Sequence, residues 1–129
     1  MKKKGLTCII DDDPIYIFGA KKTISKMDIS TDFLIFNEAT SALEYFKNKD
    51  NYDTLPSIIL LDLNMPIIDG WQFLDEFITY PIKSKITIFI VTSSIDPNDV
   101  EKAKNYEEVS NYIIKPITFD KLETIKNYL

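Results

Sequence analysis

Apolar residues along the chain gather into five short runs, over 6–10, 32–36, 57–62, 86–91 and 111–114. Each run stops abruptly at polar residues or proline. Short, nearly continuous apolar runs of this kind read as strands covered on both faces. Between them the spacing changes. Ile17, Ala20, Ile24 and Met27 recur at helical intervals in a segment over 14–27 that starts at Pro14 with an acidic residue before it. Ser41 and Glu44 offer a capping-box pattern for a second helix carrying Ala42, Leu43, Tyr45 and Phe46. The polar stretch 47–55 reads as a surface loop. A third helix is predicted over 71–78, ended by Tyr80-Pro81, and a short fourth one from Asp96-Pro97 to about Asn105. Thr118 can cap a last helix, with Phe119, Leu122, Ile125 and Leu129 on its inner face. Strands alternating with helices imply an α/β fold, a doubly wound parallel sheet of five strands with five helices.

The third run, Ser57-Ile58-Ile59-Leu60-Leu61-Asp62, empties a buried strand into a carboxylate, with Asn64-Met65-Pro66 and Asp69-Gly70 after it. Open α/β sheets place their chemistry at such carboxyl ends. The other strand ends supply Asp11 and Asp12 after the first, Thr92 after the fourth and Lys115 after the fifth. In strand order 2-1-3-4-5 the first and third strands are neighbours, so Asp11, Asp12 and Asp62 would converge. Three carboxylates that close call for a cation or altered protonation. Oxygen donors without imidazole or thiolate suit Mg²⁺. A metal, a hydroxyl and a lysine together suit a phosphoryl group, and Asp62 could accept it. Each residue also has a plainer reading: a solvated turn with one helix cap for Asp11 to Asp13, strand-end polarity for Thr92, a surface lysine for Lys115.

Composition narrows the chemistry. All 15 basic residues are lysine and there is no histidine, which removes Ser-His-Asp and Cys-His catalysis and imidazole-based zinc sites. Cys8, the one cysteine, lies in an apolar run as a reduced core thiol. The net charge of −5 argues against nucleic-acid binding. No apolar run reaches the ~18 residues of a membrane span. Met1-Lys2-Lys3-Lys4 looks like a basic leader start, but Asp11-Asp12-Asp13 interrupts the apolar run behind it, so a cytoplasmic chain with no membrane partner is expected. A single domain over 1–129 is expected, with no internal repeat, no linker and no output domain.

The sequence resembles the receiver domain of bacterial two-component response regulators, of the single-domain chemotaxis type. The resemblance rests on Cys8-Ile9-Ile10-Asp11-Asp12-Asp13-Pro14, on Leu61-Asp62-Leu63-Asn64-Met65-Pro66 with Asp69-Gly70, on Val91-Thr92-Ser93, and on Tyr112-Ile113-Ile114-Lys115-Pro116-Ile117. It implies a flavodoxin-like fold. It implies Asp62 as phosphoacceptor, and Mg²⁺, with Mn²⁺ as substitute, held by Asp11, Asp12, Asp62 and the backbone carbonyl of Asn64. Thr92 would be the switch hydroxyl, Lys115 the phosphoryl-pairing lysine and Tyr112 the aromatic switch, outward when inactive and inward when active. The Lys115-Pro116 bond would be cis, Ser93 would keep the site accessible, and Asn64 and Ser94 would flank the attacking water.

The implied partners are a histidine kinase or phosphotransfer protein and a downstream protein target. The target would meet the fourth helix, fifth strand and fifth helix, through positions such as Asp99, Lys102, Tyr112 and Lys121. The chain would accept a phosphoryl group and lose it again without being a multiple-substrate enzyme. Two rivals are a receiver-like binding module that never uses phosphate, and a phosphatase of the haloacid dehalogenase type. The latter needs a second aspartate where this chain has Asn64.

Overall fold

The computed structural model describes residues 5–127. The basic start over 1–4 and Leu129 lie outside them. Five parallel strands, β1 (Gly5–Ile10), β2 (Ser30–Phe36), β3 (Ile58–Leu61), β4 (Thr87–Thr92) and β5 (Val109–Ile114), form one sheet in the order β2-β1-β3-β4-β5. The helices are α1 (Pro14–Lys26), α2 (Ala39–Lys47), α3 (Gly70–Phe77), α4 (Pro97–Ala103) and α5 (Phe119–Lys126). This is the doubly wound, flavodoxin-like arrangement that the alternation of patterns predicts.

The pleat divides the core in two. Cys8, Ile10, Ile59, Leu61, Ile88 and Ile90 face α2 and α3, whose Phe46, Phe73 and Phe77 complete that layer. Their neighbours Ile9, Ile58, Leu60, Phe89 and Val91 point the other way, onto Ala20 and Ile24 of α1 and Leu122 and Ile125 of α5. Because every one of these central-strand residues is buried, the strands show runs and not polar-apolar alternation. Cys8 is fully buried, and burial pushes its thiol pKa up, which keeps it protonated and unreactive. No helix among the described residues is long and apolar enough to cross a membrane.

Several element boundaries differ from the sequence pattern. The capping box expected at Ser41 and Glu44 does not form. Helix α2 starts at Ala39, because Ala39, Ala42, Leu43 and Phe46 make its buried stripe, and its N-cap Glu38 makes no capping bond. The capping box belongs to α3 instead, where Asp69 accepts from the Gln72 backbone and Gln72 accepts from the Asp69 backbone. Strand β2 begins at Ser30, whose hydroxyl bonds that of Thr7 at 2.5 Å in the buried start of the sheet. The 47–55 segment contains a 3-10 turn over Lys49–Thr54. Phe119 does not join the inner face of α5: it opens the helix at its exposed end and is 55% exposed, while Leu122 and Ile125 are buried.

Ile67, in the loop between β3 and α3, has φ 73° and is 72% exposed. A β-branched residue in the left-handed region is strained, and asparagine tolerates that region far better. Ile67→Asn loses no core contact, so it should raise stability by roughly 1 kcal/mol. A urea midpoint equal to or below that of the unchanged chain would refute this.

Candidate functional site

The site sits at the carboxyl ends of β1, β3 and β4. The register pairs Ile10 with Leu61, and Asp62 N donates to Ile10 O at 3.0 Å, which sets Asp62 beside Asp11. Asp11 N is held in turn by Phe36 O at 3.0 Å. Asp11 and Asp62 are buried and Asp12 is exposed. One carboxylate oxygen from each of the three lies within 4.8 Å of the others.

The aspartate run splits into two jobs. Asp13 is the N-cap of α1, accepting from Ile15 N at 3.0 Å and Tyr16 N at 3.3 Å. Asp13 N donates to Asp11 Oδ1 at 2.9 Å, which fixes the rotamer of Asp11. Both readings of this run therefore apply, one aspartate to the cap and two to the cluster.

Lys115 supplies the counter-charge. Its backbone N donates to Thr92 O at 2.8 Å, fastening the end of β5 to the end of β4. Its Nζ lies 2.8 Å from Asp11 Oδ2 and 3.7 Å from Asp62 Oδ2. It also rests 4.4 Å above the ring of Tyr16, a contact that no sequence pattern signalled. The Lys115-Pro116 peptide is cis. Burial raises the pKa of Asp11, the nearby Asp62 charge raises it further, and the Lys115 ammonium opposes both.

One lysine against three carboxylates leaves the cluster negative. Asp62 Oδ1 is buried and, among the described residues, makes no hydrogen bond. A buried, unpaired carboxylate oxygen beside two more carboxylates is what a hard divalent cation or a bound phosphoryl group would satisfy. The donor set is all oxygen, as Mg²⁺ or Mn²⁺ prefers. Asn64 lies two residues past Asp62, exposed, in the loop after β3.

On the other flank, Thr92 is fully buried and its Oγ1 accepts from Ser94 N at 3.3 Å. Ser93 is exposed. Tyr112 is half-buried against the α2–α3 layer, and its hydroxyl donates to Ser94 O at 2.9 Å. Of the positions expected to meet a target, Asp99 accepts from Trp71 and Ser94, and Lys102 Nζ stands 4.9 Å above the Trp71 ring. Lys121 Nζ donates to the carbonyls of Ile114 at 2.5 Å and Pro116 at 3.1 Å. These groups are thus engaged within the chain. Gly70 meets the site from α3: a Cβ there would lie 2.5 Å from the Asp62 carbonyl oxygen. The sequence offered Gly70 as part of the Asp69-Gly70 pair, with no sign of this contact.

Comparison with known proteins agrees with this fold. Residues 7–126 match the family described as response regulator receiver domain. A two-component response regulator from Cytophaga hutchinsonii has the same fold with a TM-score of 0.85 and 32% identity, covering 98% of this chain and 97% of that one. The Mn²⁺-bound form of response regulator Rcp1 superposes with a TM-score of 0.77 at 21% identity, covering 95% of this chain and 90% of that one, a likeness of fold. The nitrate/nitrite response regulator NarL of Escherichia coli strain K12 is 32% identical over 85 residues, 66% of this chain and 37% of NarL. Across curated relatives the share of the relative that the chain spans runs from 8% to 80%.

Proposed function

The chain belongs to the response regulator receiver family of two-component signalling, and from that premise we propose that it is a Mg²⁺-dependent switch phosphorylated on Asp62. Receivers are signalling switches served by histidine kinases or phosphotransfer proteins, with a divalent cation in their acidic pocket. The observation that carries the finer reading is the position of Lys115 Nζ, 2.8 Å from Asp11 and 3.7 Å from Asp62, with Asp62 Oδ1 buried and, among the described residues, without a hydrogen-bond partner.

In this reading Asp62 attacks the phosphorus of the donor. A P–O bond to Asp62 forms as the P–N bond of a phosphohistidine, or the P–O bond of a small acyl phosphate, breaks. The electron pair leaves with the donor. Asp11, Asp12, Asp62 and the Asn64 carbonyl would hold Mg²⁺, which when bound neutralises phosphoryl oxygens. Lys115 pairs with another of those oxygens, and Thr92 donates its hydroxyl to a third. Thr92 and Ser94 are joined, and Ser94 is joined to Tyr112, so a shift of Thr92 reaches α4 and β5. The target would read that surface. Asn64 and Ser94 would tune hydrolysis of the acyl phosphate, which resets the switch. The receiver would act through protein contacts.

Intact-protein mass after incubation with acetyl phosphate tests the proposal. One phosphoryl adduct is expected with Mg²⁺ and none with a chelator. Absence of any adduct, together with no response to beryllofluoride and Mg²⁺, would overturn it and leave a phosphate-independent binding module.

A further inference from the structure

Asp99 lies in the first turn of α4, and both of its carboxylate oxygens are committed. Oδ2 accepts from Ser94 Oγ at 2.6 Å, and Oδ1 accepts from Trp71 Nε1 at 3.2 Å. The two arms lead to different parts of the molecule. Ser94 belongs to the loop between β4 and α4, only two residues past Thr92, and its own amide donates to Thr92 Oγ1. Trp71 lies in the first turn of α3 and is held firmly: it is buried, and its ring stacks on Tyr106 at 5.5 Å and 21°. Tyr106 is in turn fixed to α3 through Asp75, its hydroxyl donating to Oδ1 at 2.6 Å. Asp99 therefore ties the loop that follows the switch hydroxyl to a rigid part of the helix layer, and it holds Ser94 Oγ on α4.

We propose that Asp99 is a positioning residue for the phosphoryl chemistry: by latching Ser94 to Trp71 it holds the loop after β4 closed and lengthens the life of the phosphorylated state. The proposal rests on the reading of Asp62 as phosphoacceptor. The latch acts in two ways. It steadies Ser94, which is bonded to both Thr92 and Tyr112, and so favours the arrangement in which Tyr112 is drawn in against the loop. It also keeps the Ser94 hydroxyl occupied at α4, where it cannot guide water to the acyl phosphate. Without the latch the loop samples open positions, and water gains access. Asp99 itself touches none of the reacting atoms.

Asp99→Ala removes both arms. Asp99→Asn keeps an acceptor for Trp71 and offers Ser94 an amide N–H, so it is the conservative rescue. Two readouts are compared in the full chain. The first is hydrogen exchange over residues 93–96 in the unphosphorylated protein. The second is the half-life of the adduct after acetyl phosphate is removed. Asp99→Ala is expected to speed exchange in that loop and to shorten the half-life about fivefold, the effect of roughly one net hydrogen bond. Asp99→Asn should stay within about twofold of the unchanged chain on both, by the same reasoning.

Unchanged exchange in Asp99→Ala would overturn the latch. Faster exchange with an unchanged half-life would overturn the role in the chemistry and leave a structural contact. If the unchanged chain takes up no phosphoryl group, the reading of Asp62 fails, and the exchange measurement alone decides for or against Asp99 as the loop's latch.

Discussion

Asp62→Asn should abolish the phosphoryl adduct and, in metal-free buffer, make the protein more stable. The first effect arises because an amide oxygen is too weak a nucleophile to form the acyl phosphate. The second arises from the charge arrangement. Asp62 lies buried within reach of Asp11 and Asp12, and its Oδ1 has no hydrogen-bond partner among the described residues. The lysine that could compensate is engaged first by Asp11, at 2.8 Å against 3.7 Å for Asp62. Neutralising Asp62 removes repulsion while leaving the closer ion pair intact. The net gain should be on the order of 1 kcal/mol, the residue of larger opposing Coulomb terms.

Metal should reverse the ranking. Mg²⁺ binds the folded form and stabilises it by mass action, and the unchanged chain has one more carboxylate to offer. Thermal melts in chelator and in Mg²⁺ measure both effects. Asp62→Asn should melt higher in chelator and gain less from Mg²⁺. A variant that still carries a Mg²⁺-dependent adduct, or melts lower in chelator, would contradict this account of the site.

Gly70→Ala should cost about 1–3 kcal/mol, a large share of the roughly 5–15 kcal/mol that holds a domain together. The cause is space and not backbone angle, since no glycine in the described residues has positive φ. A Cβ at this position would lie 2.5 Å from the Asp62 carbonyl oxygen and 2.9 Å from Leu63 Cα. The three nearest atoms are all backbone, so they cannot swing aside as a side chain would. The start of α3 would have to back away from the loop after β3. That would break the bond from Gly70 N to Leu63 O, now 3.0 Å, and strain the Asp69–Gln72 capping box.

The same displacement moves Asp62. Misplacing a reacting group by about 1 Å can cost on the order of a hundredfold in rate. Gly70→Ala should therefore take up phosphate from acetyl phosphate far more slowly under conditions where it remains folded. The stability change is read from the urea midpoint and the rate from adduct formation by mass. A midpoint shift under about 0.5 kcal/mol, the size of an ordinary surface change, would mean that the loop yields freely.

The layout is legible in the order of residues. Apolar runs that end at Asp11, Asp62 and Thr92 mark the central strands, because a strand covered on both faces is nearly all apolar until it leaves the sheet; β5, the edge strand before Lys115, is mostly half-buried, with Ile114 37% exposed. Helical spacing marks the helices between them, and alternation of the two patterns requires parallel strands. With the strand order given, the carboxylates must converge, since register at β1 and β3 sets Ile10 against Leu61.

The packing of the elements set how side chains far apart in the chain share partners. It assigned Asp13 to the α1 cap and Asp11 to the cluster, gave the Lys115 ammonium to Asp11 ahead of Asp62, and set it over Tyr16. It pressed Gly70 onto the Asp62 backbone and joined Trp71 to Asp99, 28 residues on, and Asp99 to Ser94. It moved the start of α2 to Ala39 and turned Phe119 outward. Periodicity reports whether a position is buried, which depends on its own element. Which buried or polar group it meets depends on the distances between elements, and those exist only after the sheet and its two helix layers have packed.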